Sequence, residues 1–207
     1  ADLHRRSYAA RSIARKVSAV RQFFQFLYEE GHRADNPATR LDSPKQPKLL
    51  PKLLSGAEIA QLLHHLAAED SPETLRLRVM VELLYATGLR VSELVSLPFA
   101  AANRLLKTGD PLLMVMGKGR KERLVPVHGR ALAALTAYLA VRGIWVKEKP
   151  AEKWLFPSGS EQGYLTRQRF GQLLKQAALE AGLDPERVSP HVLRHSCAMH
   201  TLAATGD

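Results

Sequence analysis

Three residues near the end of the sequence have the types and spacing to bind a phosphate group. In the stretch SPHVLRHS, Ser189 and Pro190 are typical of a helix N-terminus, and His191 and Arg194 follow three residues apart. Residues at this spacing share one helix face, close to the positive end of the helix dipole, which attracts anions. The stretch therefore predicts phosphate contact by His191 and Arg194. His195 lies about 100° round the helix from Arg194, so we expect it to pack or to support the pair.

Two earlier segments present cations where the chain turns. In YATGLRVSEL, Arg90 stands between the end of one helix and the start of the next, with Glu93 one turn later to orient its guanidinium. In GKGRKER, Lys118 lies between two glycines that allow close approach of a ligand, and it could donate a proton to a leaving oxygen. Taken singly, the first pair also fits an ordinary salt bridge, and the second segment also fits a solvated basic turn.

Together these residues suit phosphoryl transfer on a nucleic-acid backbone without a metal ion. The arginines would clamp the nonbridging oxygens, His191 would donate a hydrogen bond or move a proton, and Lys118 would protonate the departing sugar oxygen. We expect no metal site, because no carboxylate cluster and no paired histidines with a nearby acid have ligand spacing. His64, His65 and His200 are interpreted as structural or solvated. A nucleophile is missing from this set.

The charge balance makes a polyanion a plausible partner. Thirty Lys and Arg residues against twenty Asp and Glu residues give a formal net charge of +10, although a solvated basic surface would explain the same number. Further candidate DNA contacts lie on one face of the first helix, in the basic turn and at a later helix start. They are Arg11, Arg15, Arg120, Lys121, Arg123, Thr166, Arg167 and Gln168.

These residues must be positioned by a mainly helical chain. Apolar residues at helical spacing (Ile13, Val17, Val20, Phe24 and Leu27) predict a buried face in a helix over residues 7–30, and the proline-rich residues 41–54 are typical of a linker. Ser55 with Glu58 predicts a capping box. The remaining predicted helices span residues 55–68, 72–87 with Gly88 as cap, 91–97, 130–142, 166–181 and 190–204. Two strands, residues 112–116 and 123–127, flank the basic turn.

The compartment is expected to be a reducing cytoplasm. The single cysteine, Cys197, cannot form an internal disulfide, and no signal-peptide pattern opens the chain. The apolar runs are too short to cross a bilayer, so no membrane partner is expected.

The motifs YATGLRVSELVSL, MGKGRKERLVPV, LFPS with LTRQRF, and VSPHVLRHS resemble those of the integrase-type tyrosine recombinases, and the Xer recombinases in particular. The resemblance implies a mainly α fold with a small β-hairpin. It implies part of a helical core-binding domain in residues 1–40, a linker in 41–54 and a catalytic domain in 55–207 that lacks its C-terminal part. Arg90 then resembles the first catalytic arginine, Lys118 the hairpin general acid, and His191 and Arg194 the His-x-x-Arg pair, with Glu93 and His195 in support.

The resemblance also implies an activity and partners. Such enzymes cut one DNA strand at a time through a 3′-phosphotyrosine, need no metal or nucleotide cofactor, and work as tetramers of related subunits on two short sites. Xer proteins resolve chromosome dimers under control of a septal DNA translocase, so double-stranded DNA, a related recombinase subunit and that translocase are the expected partners.

The sequence departs from the family pattern in two places. None of its five tyrosines has the context of the family's nucleophile, and LPFAAANRL has alanines where an acid is common after the preceding helix, so that local cap is expected to differ. We therefore expect this 207-residue chain to bind DNA without cleaving it. The alternatives are a non-catalytic DNA-binding regulator derived from a recombinase, a phage or plasmid integrase, and a related topoisomerase that relaxes supercoils without a defined site.

Overall fold

The computed structural model describes residues 9–44, 53–117, 119, 121–147 and 149–205. Two predicted site residues, Lys118 and Arg120, and most of the predicted linker lie outside the described residues. The chain divides into two compact units, residues 1–51 and residues 52–207, and each unit is described by itself.

The first unit contains helix α1 (Ala10–Glu29) and a 3-10 helix (Pro37–Arg40). Asn36 caps the short helix, because its side-chain oxygen accepts a hydrogen bond from the Ala38 N–H at 3.1 Å. Ile13 and Val17 are buried, but Val20, predicted for the same buried face, is 39% exposed. That part of the prediction was wrong: the Val20 side chain lies outside the buried face that Ile13 and Val17 form.

The second unit is mainly helical with one small sheet, as predicted. Its α-helices are α2 (Gly56–His65), α3 (Pro72–Thr87), α4 (Val91–Val95), α5 (Phe99–Thr108), α6 (Gly129–Val141), α7 (Lys149–Glu152), α8 (Arg167–Glu180) and α9 (Pro190–Thr205). A 3-10 helix (Arg142–Trp145) follows α6. Strands β1 (Leu112–Met116) and β2 (Glu122–Pro126) pair antiparallel, with Leu112 opposite Pro126 and Met116 opposite Glu122. The second strand begins one residue earlier than predicted.

Helix α3 is the centre of this unit. Its residues 79–84 are all buried, because α6 and α9 pack against it from different sides and α2 and α8 complete its surroundings. The helix begins at Ser71, whose hydroxyl accepts a hydrogen bond from the Thr74 N–H, and ends at Gly88 in the left-handed conformation, as predicted. This sharp end turns the chain into α4 within three residues and places Arg90 at the corner.

Helix α5 was missed in the sequence. It begins after Pro98, whose side chain makes no capping hydrogen bond, so the sequence contains no capping signal at this position. Ala102 and Leu105 are buried against the core, and that burial holds the segment in place.

Candidate functional site

The N-terminus of α9 has the predicted cap. The Ser189 hydroxyl accepts a hydrogen bond from the Val192 N–H at 3.2 Å, and the Ser189 carbonyl accepts one from the Leu193 N–H at 3.0 Å. Leu193 is fully buried, whereas His191, two residues earlier, is exposed. The first turn of α9 is therefore anchored in the core and presents His191 to solvent.

Arg194 is half-buried and incompletely paired. Its Nη1 atom is buried and has no hydrogen-bond partner among the residues that the structure describes. Buried donors without a partner are rare in folded proteins, because desolvation without a hydrogen bond costs about 1–3 kcal/mol or more for a charged group. A phosphate oxygen would supply the acceptor that this guanidinium lacks.

His195 contacts His191 directly. Their Nε2 atoms lie 2.9 Å apart, and the ring planes are nearly perpendicular at 87°. One ring must donate a proton at Nε2 while the other accepts, so the two imidazoles hold different hydrogen-bonding roles. Because both rings are exposed, His195 is not a core residue; its contact is with His191, one turn away.

Glu93 organises the corner that carries Arg90. Its carboxylate accepts hydrogen bonds from the Arg90 backbone N–H at 2.8 Å and from Arg90 Nη1 at 3.0 Å. Arg123, on β2, donates to the same carboxylate through Nη1 at 3.1 Å and Nη2 at 2.7 Å. Burial opposes the charged carboxylate, but the hydrogen bonds from Arg123 and Arg90 outweigh it and lower the pKa of Glu93 to about 2. Glu93 thus joins the Arg90 corner to the hairpin.

Gly117 leaves the space that this ion pair occupies. A Cβ atom at this position would lie 3.0 Å from Arg123 Nη1 and 3.4 Å from the Lys121 carbonyl oxygen. The Gly117 N–H also donates to that carbonyl at 2.8 Å and closes the hairpin. A Cβ atom here would require the guanidinium or the turn to shift by a few tenths of an ångström, so the close approach favours glycine.

The Arg90 corner and helix α9 are in contact at Gly88 and Cys197. Gly88, two residues before Arg90, faces Cys197, three residues after Arg194; a Cβ on Gly88 would lie 3.7 Å from the Cys197 sulfur. Burial raises the pKa of the Cys197 thiol, which keeps the thiol neutral in this interface. The corner with Arg90 and the helix with His191 and Arg194 therefore lie side by side.

Comparisons with known proteins show the family of the chain. The sequence profile of the phage integrase family matches residues 52–207, and that of the phage integrase N-terminal SAM-like domain matches residues 1–31. The chain belongs to the phage integrase family. Within the family it is a Xer-type tyrosine recombinase: the tyrosine recombinase XerD of Rickettsia conorii is 48% identical over 204 residues, a span of 96% of this chain and 66% of the relative.

Solved structures of the phage integrase family share the fold. The integrase from mycobacterium phage Brujita superposes with a TM-score of 0.57 at 29% identity, over 97% of this chain and 61% of that protein. The Tn1549 transposon integrase in complex with circular intermediate DNA superposes with a TM-score of 0.67 at 17% identity, over 99% of this chain and 70% of that protein. This chain spans about two thirds of the length of the curated relatives it matches.

The structure places the predicted DNA contacts of this integrase-family chain in different settings. Arg11 and Arg15 are exposed on α1 and line a groove of about 830 Å³ with Ser12, Ser18 and Ser43. Their contact with DNA remains a prediction.

The other predicted contacts lie in the second unit. Thr166 caps α8, because its hydroxyl accepts a hydrogen bond from the Arg169 N–H at 3.1 Å, and Arg167 and Gln168 are exposed in the first turn. Lys121 is exposed, whereas Arg123 is held by Glu93. The assignment of these residues to DNA contact stays a prediction.

One contact that the sequence analysis missed joins α3 to α9. The Tyr85 hydroxyl and His200 Nδ1 are 2.9 Å apart. Helical spacing indicates that each residue faces a neighbouring element, but it does not reveal which tyrosine meets which histidine across 115 residues.

The described residues contain no group of three or more His, Cys, Asp or Glu side chains arranged to hold a metal ion. In the same part of the chain, no helix has the length and apolar character needed to span a bilayer.

Proposed function

We propose that this chain recognises double-stranded DNA and activates a phosphodiester of its backbone for the strand cleavage and rejoining of a Xer-type recombinase. The reaction would proceed through a 3′-phosphotyrosine and without a metal ion. The observation that carries this proposal is the buried, unpartnered Nη1 of Arg194, on the turn that presents His191 and beside the Arg90 corner. Family membership and the DNA-bound Tn1549 integrase of similar fold support it.

Each residue has a separate role in this proposal. Arg194 would donate to a nonbridging phosphate oxygen, and Arg90, oriented by Glu93, would donate to the other as negative charge develops. His191 would hydrogen-bond the phosphate or move a proton, with its ring held by His195. Lys118, outside the described residues, would protonate the leaving oxygen by family resemblance.

The side chains of three described tyrosines, Tyr85, Tyr138 and Tyr164, are engaged in other contacts. The Tyr138 hydroxyl is buried and donates to the Leu155 carbonyl at 2.9 Å, and that of Tyr85 contacts His200. Tyr164 packs its ring edge-to-face against Trp154, and Tyr28 lies in the first unit. We propose that none of the five tyrosines acts as nucleophile, because none has the sequence context of the family's nucleophile, and that the 207-residue chain binds DNA without forming a covalent bond to it.

The salt dependence of binding to a 30-base-pair duplex tests phosphate contact. The salt slope is taken here as the magnitude of the negative slope of log K against log salt, and each lost contact should lower it by about 0.9. We expect such a decrease for Arg90→Ala and for Arg194→Ala. Arg187→Ala is the matched control. The substitution removes the same charge, but Arg187 is paired with Glu58 and has no proposed phosphate contact. Unchanged slopes for the first two variants, or an equal decrease for the control, would contradict the phosphate role.

Covalent chemistry is tested separately with a nicked duplex that traps a cleaved strand on the protein. Denaturing electrophoresis should show no protein-DNA adduct for this chain. An adduct mapped to any tyrosine of the chain would overturn the proposed absence of a nucleophile, but it would leave the phosphate assignments intact.

For the biological role we propose chromosome dimer resolution, with a related recombinase subunit and a septal DNA translocase as partners. Similarity to proteins named XerD supports this proposal. Footprinting on genomic and random DNA should reveal protection of one short chromosomal site. Protection at the ends of a mobile element would favour an integrase instead, and protection without sequence preference would favour a topoisomerase.

A further inference from the structure

Helix α9 and helix α3 share one polar contact away from the phosphate-facing residues. Tyr85 Oη lies 2.9 Å from His200 Nδ1, and the two rings meet edge-to-face at a centroid distance of 6.0 Å. Both side chains are half-buried, and burial raises the pKa of Tyr85, so its hydroxyl remains protonated at neutral pH. The pair is a directional bond within an otherwise mostly apolar interface.

The position of this bond along α9 matters for Arg194. His200 follows Arg194 by six positions, which corresponds to about 9 Å along a helix. Between them, Ser196 Oγ accepts a hydrogen bond from the Leu54 N–H at 2.9 Å, and Cys197 faces Gly88. A helix is stiff over such a length, so its rotation about its own axis at His200 is transmitted to Arg194.

Apolar burial alone does not fix the later turns of α9. Met199 and Leu202, on either side of His200, are each 49% exposed. Apolar contacts tolerate small rotations and shifts, whereas a hydrogen bond requires a defined donor-acceptor direction. The bond between Tyr85 and His200 therefore supplies a defined orientation in the part of α9 where Met199 and Leu202 are only about half buried.

We infer that Tyr85 and His200 are positioning residues that, together with the hydrogen bond between Leu54 and Ser196, set the rotation of α9 and thereby aim the Arg194 guanidinium at DNA phosphate. The inference rests on the proposed phosphate role of Arg194. Productive geometry at such sites requires side chains held within about 0.5 Å and 10–20°, so a loosened α9 would weaken phosphate contact while the fold persists.

The test is a double-mutant cycle read out by the salt dependence of binding to the same 30-base-pair duplex. Tyr85→Phe keeps the ring and removes the hydroxyl. We expect it to lower the magnitude of the slope of log K against log salt by up to about 0.9, the value of one phosphate contact. In the Arg194→Ala background the same substitution should cause no further decrease, because the contact is already absent.

Tyr138→Phe is the matched control, because it removes a more deeply buried hydroxyl bonded to the Leu155 carbonyl in the same unit. It should lower the thermal midpoint but leave the salt slope unchanged. At the other partner, His200→Asn retains a polar atom close to the Nδ1 position and should keep the wild-type slope, whereas His200→Leu should reduce it as Tyr85→Phe does.

The outcomes separate the two proposals. If Arg194→Ala leaves the slope unchanged, the proposed phosphate role fails, and this inference fails with it. If Arg194→Ala lowers the slope but Tyr85→Phe and His200→Leu do not, the phosphate role stands and the positioning role is wrong. Additive decreases in the double variant would also contradict it, because Tyr85 would then act independently of Arg194.

Discussion

Arg123 reaches from β2 to Glu93 on α4 and donates both branches of its guanidinium to the carboxylate, at 3.1 Å and 2.7 Å. The same carboxylate holds the backbone and the side chain of Arg90. A residue of the hairpin therefore determines how the proposed phosphate-binding Arg90 is presented.

The first prediction concerns pH. The pKa of Glu93 is lowered from 4.5 to about 2 in the folded chain, so its stabilisation is fully present above pH 4.5 and is lost as the pH falls toward 2. Such a shift corresponds to about 3 kcal/mol. Glu93→Gln should lower the free energy of unfolding at pH 7 by about this amount, and the difference from wild type should shrink below pH 4.5.

Urea unfolding at a series of pH values measures this difference. Glu122→Gln, an exposed glutamate of the same hairpin, is the control and should change the free energy by less than about 0.5 kcal/mol. A difference between wild type and Glu93→Gln that is the same at pH 3 and pH 7 would rule out the lowered pKa as its source.

The second prediction concerns the space beside the ion pair. Gly117→Ala places a methyl group 3.0 Å from Arg123 Nη1, so the guanidinium or the turn must move. We expect a loss of about 1–3 kcal/mol in the free energy of unfolding, and a smaller loss in an Arg123→Ala background, where the crowded atom is absent. Gly143→Ala is the control, because nothing lies within 4 Å of its Cβ position. Equal losses in both backgrounds would show that Gly117 acts through the backbone alone.

The third prediction separates two glycines by their backbone conformation. Gly88 has a φ of +60° at the end of α3, and an alanine there adopts a strained left-handed conformation at a cost of about 1–2 kcal/mol. Gly171 lies inside α8 with nothing within 4 Å of its Cβ position, so Gly171→Ala should stabilise the chain by about 0.5–1 kcal/mol. The midpoint of thermal unfolding should fall for Gly88→Ala and rise for Gly171→Ala. A shift in the same direction for both variants would contradict the predicted difference between the two backbone conformations.

The fourth prediction concerns the start of α2. The Ser55 hydroxyl accepts from the Glu58 N–H at 3.2 Å, and the Glu58 carboxylate accepts from the Ser55 N–H at 2.8 Å. Ser55→Ala should therefore lower the free energy of unfolding by about 1 kcal/mol. Ser92→Ala, at an exposed position within α4, should change it by less than about 0.5 kcal/mol. Chemical denaturation measures both, and equal effects would show that the capping box contributes nothing.

The features that could be predicted from the sequence are those whose interacting residues lie within a few positions of each other. The Ser55 capping box, the Gly88 cap and the cap at Ser189 all join residues at most four apart, and each is present in the structure. The hairpin strands followed from their β-rich residues on either side of a glycine-containing turn. Local chemistry was sufficient for these elements because their hydrogen bonds close within one turn of chain.

The contacts that complete the candidate site were not predictable in the same way. Thirty residues separate Arg123 from Glu93, and 115 separate Tyr85 from His200. The sequence shows the charge of Arg123 but not its pairing with Glu93, so Arg123 was predicted as a DNA contact. Which side chains meet across such distances depends on how helices pack, and no local spacing encodes it.

The hydrogen bond from the Leu54 N–H to the Ser196 hydroxyl joins residues 142 positions apart. The entropy of closing a loop rises with its length, and contacts between distant segments form late in folding. Synthesis also delivers α9 after every other described element of the unit. The helix that carries His191 and Arg194 is therefore expected to dock last, so the ability to hold phosphate appears only when folding is nearly complete.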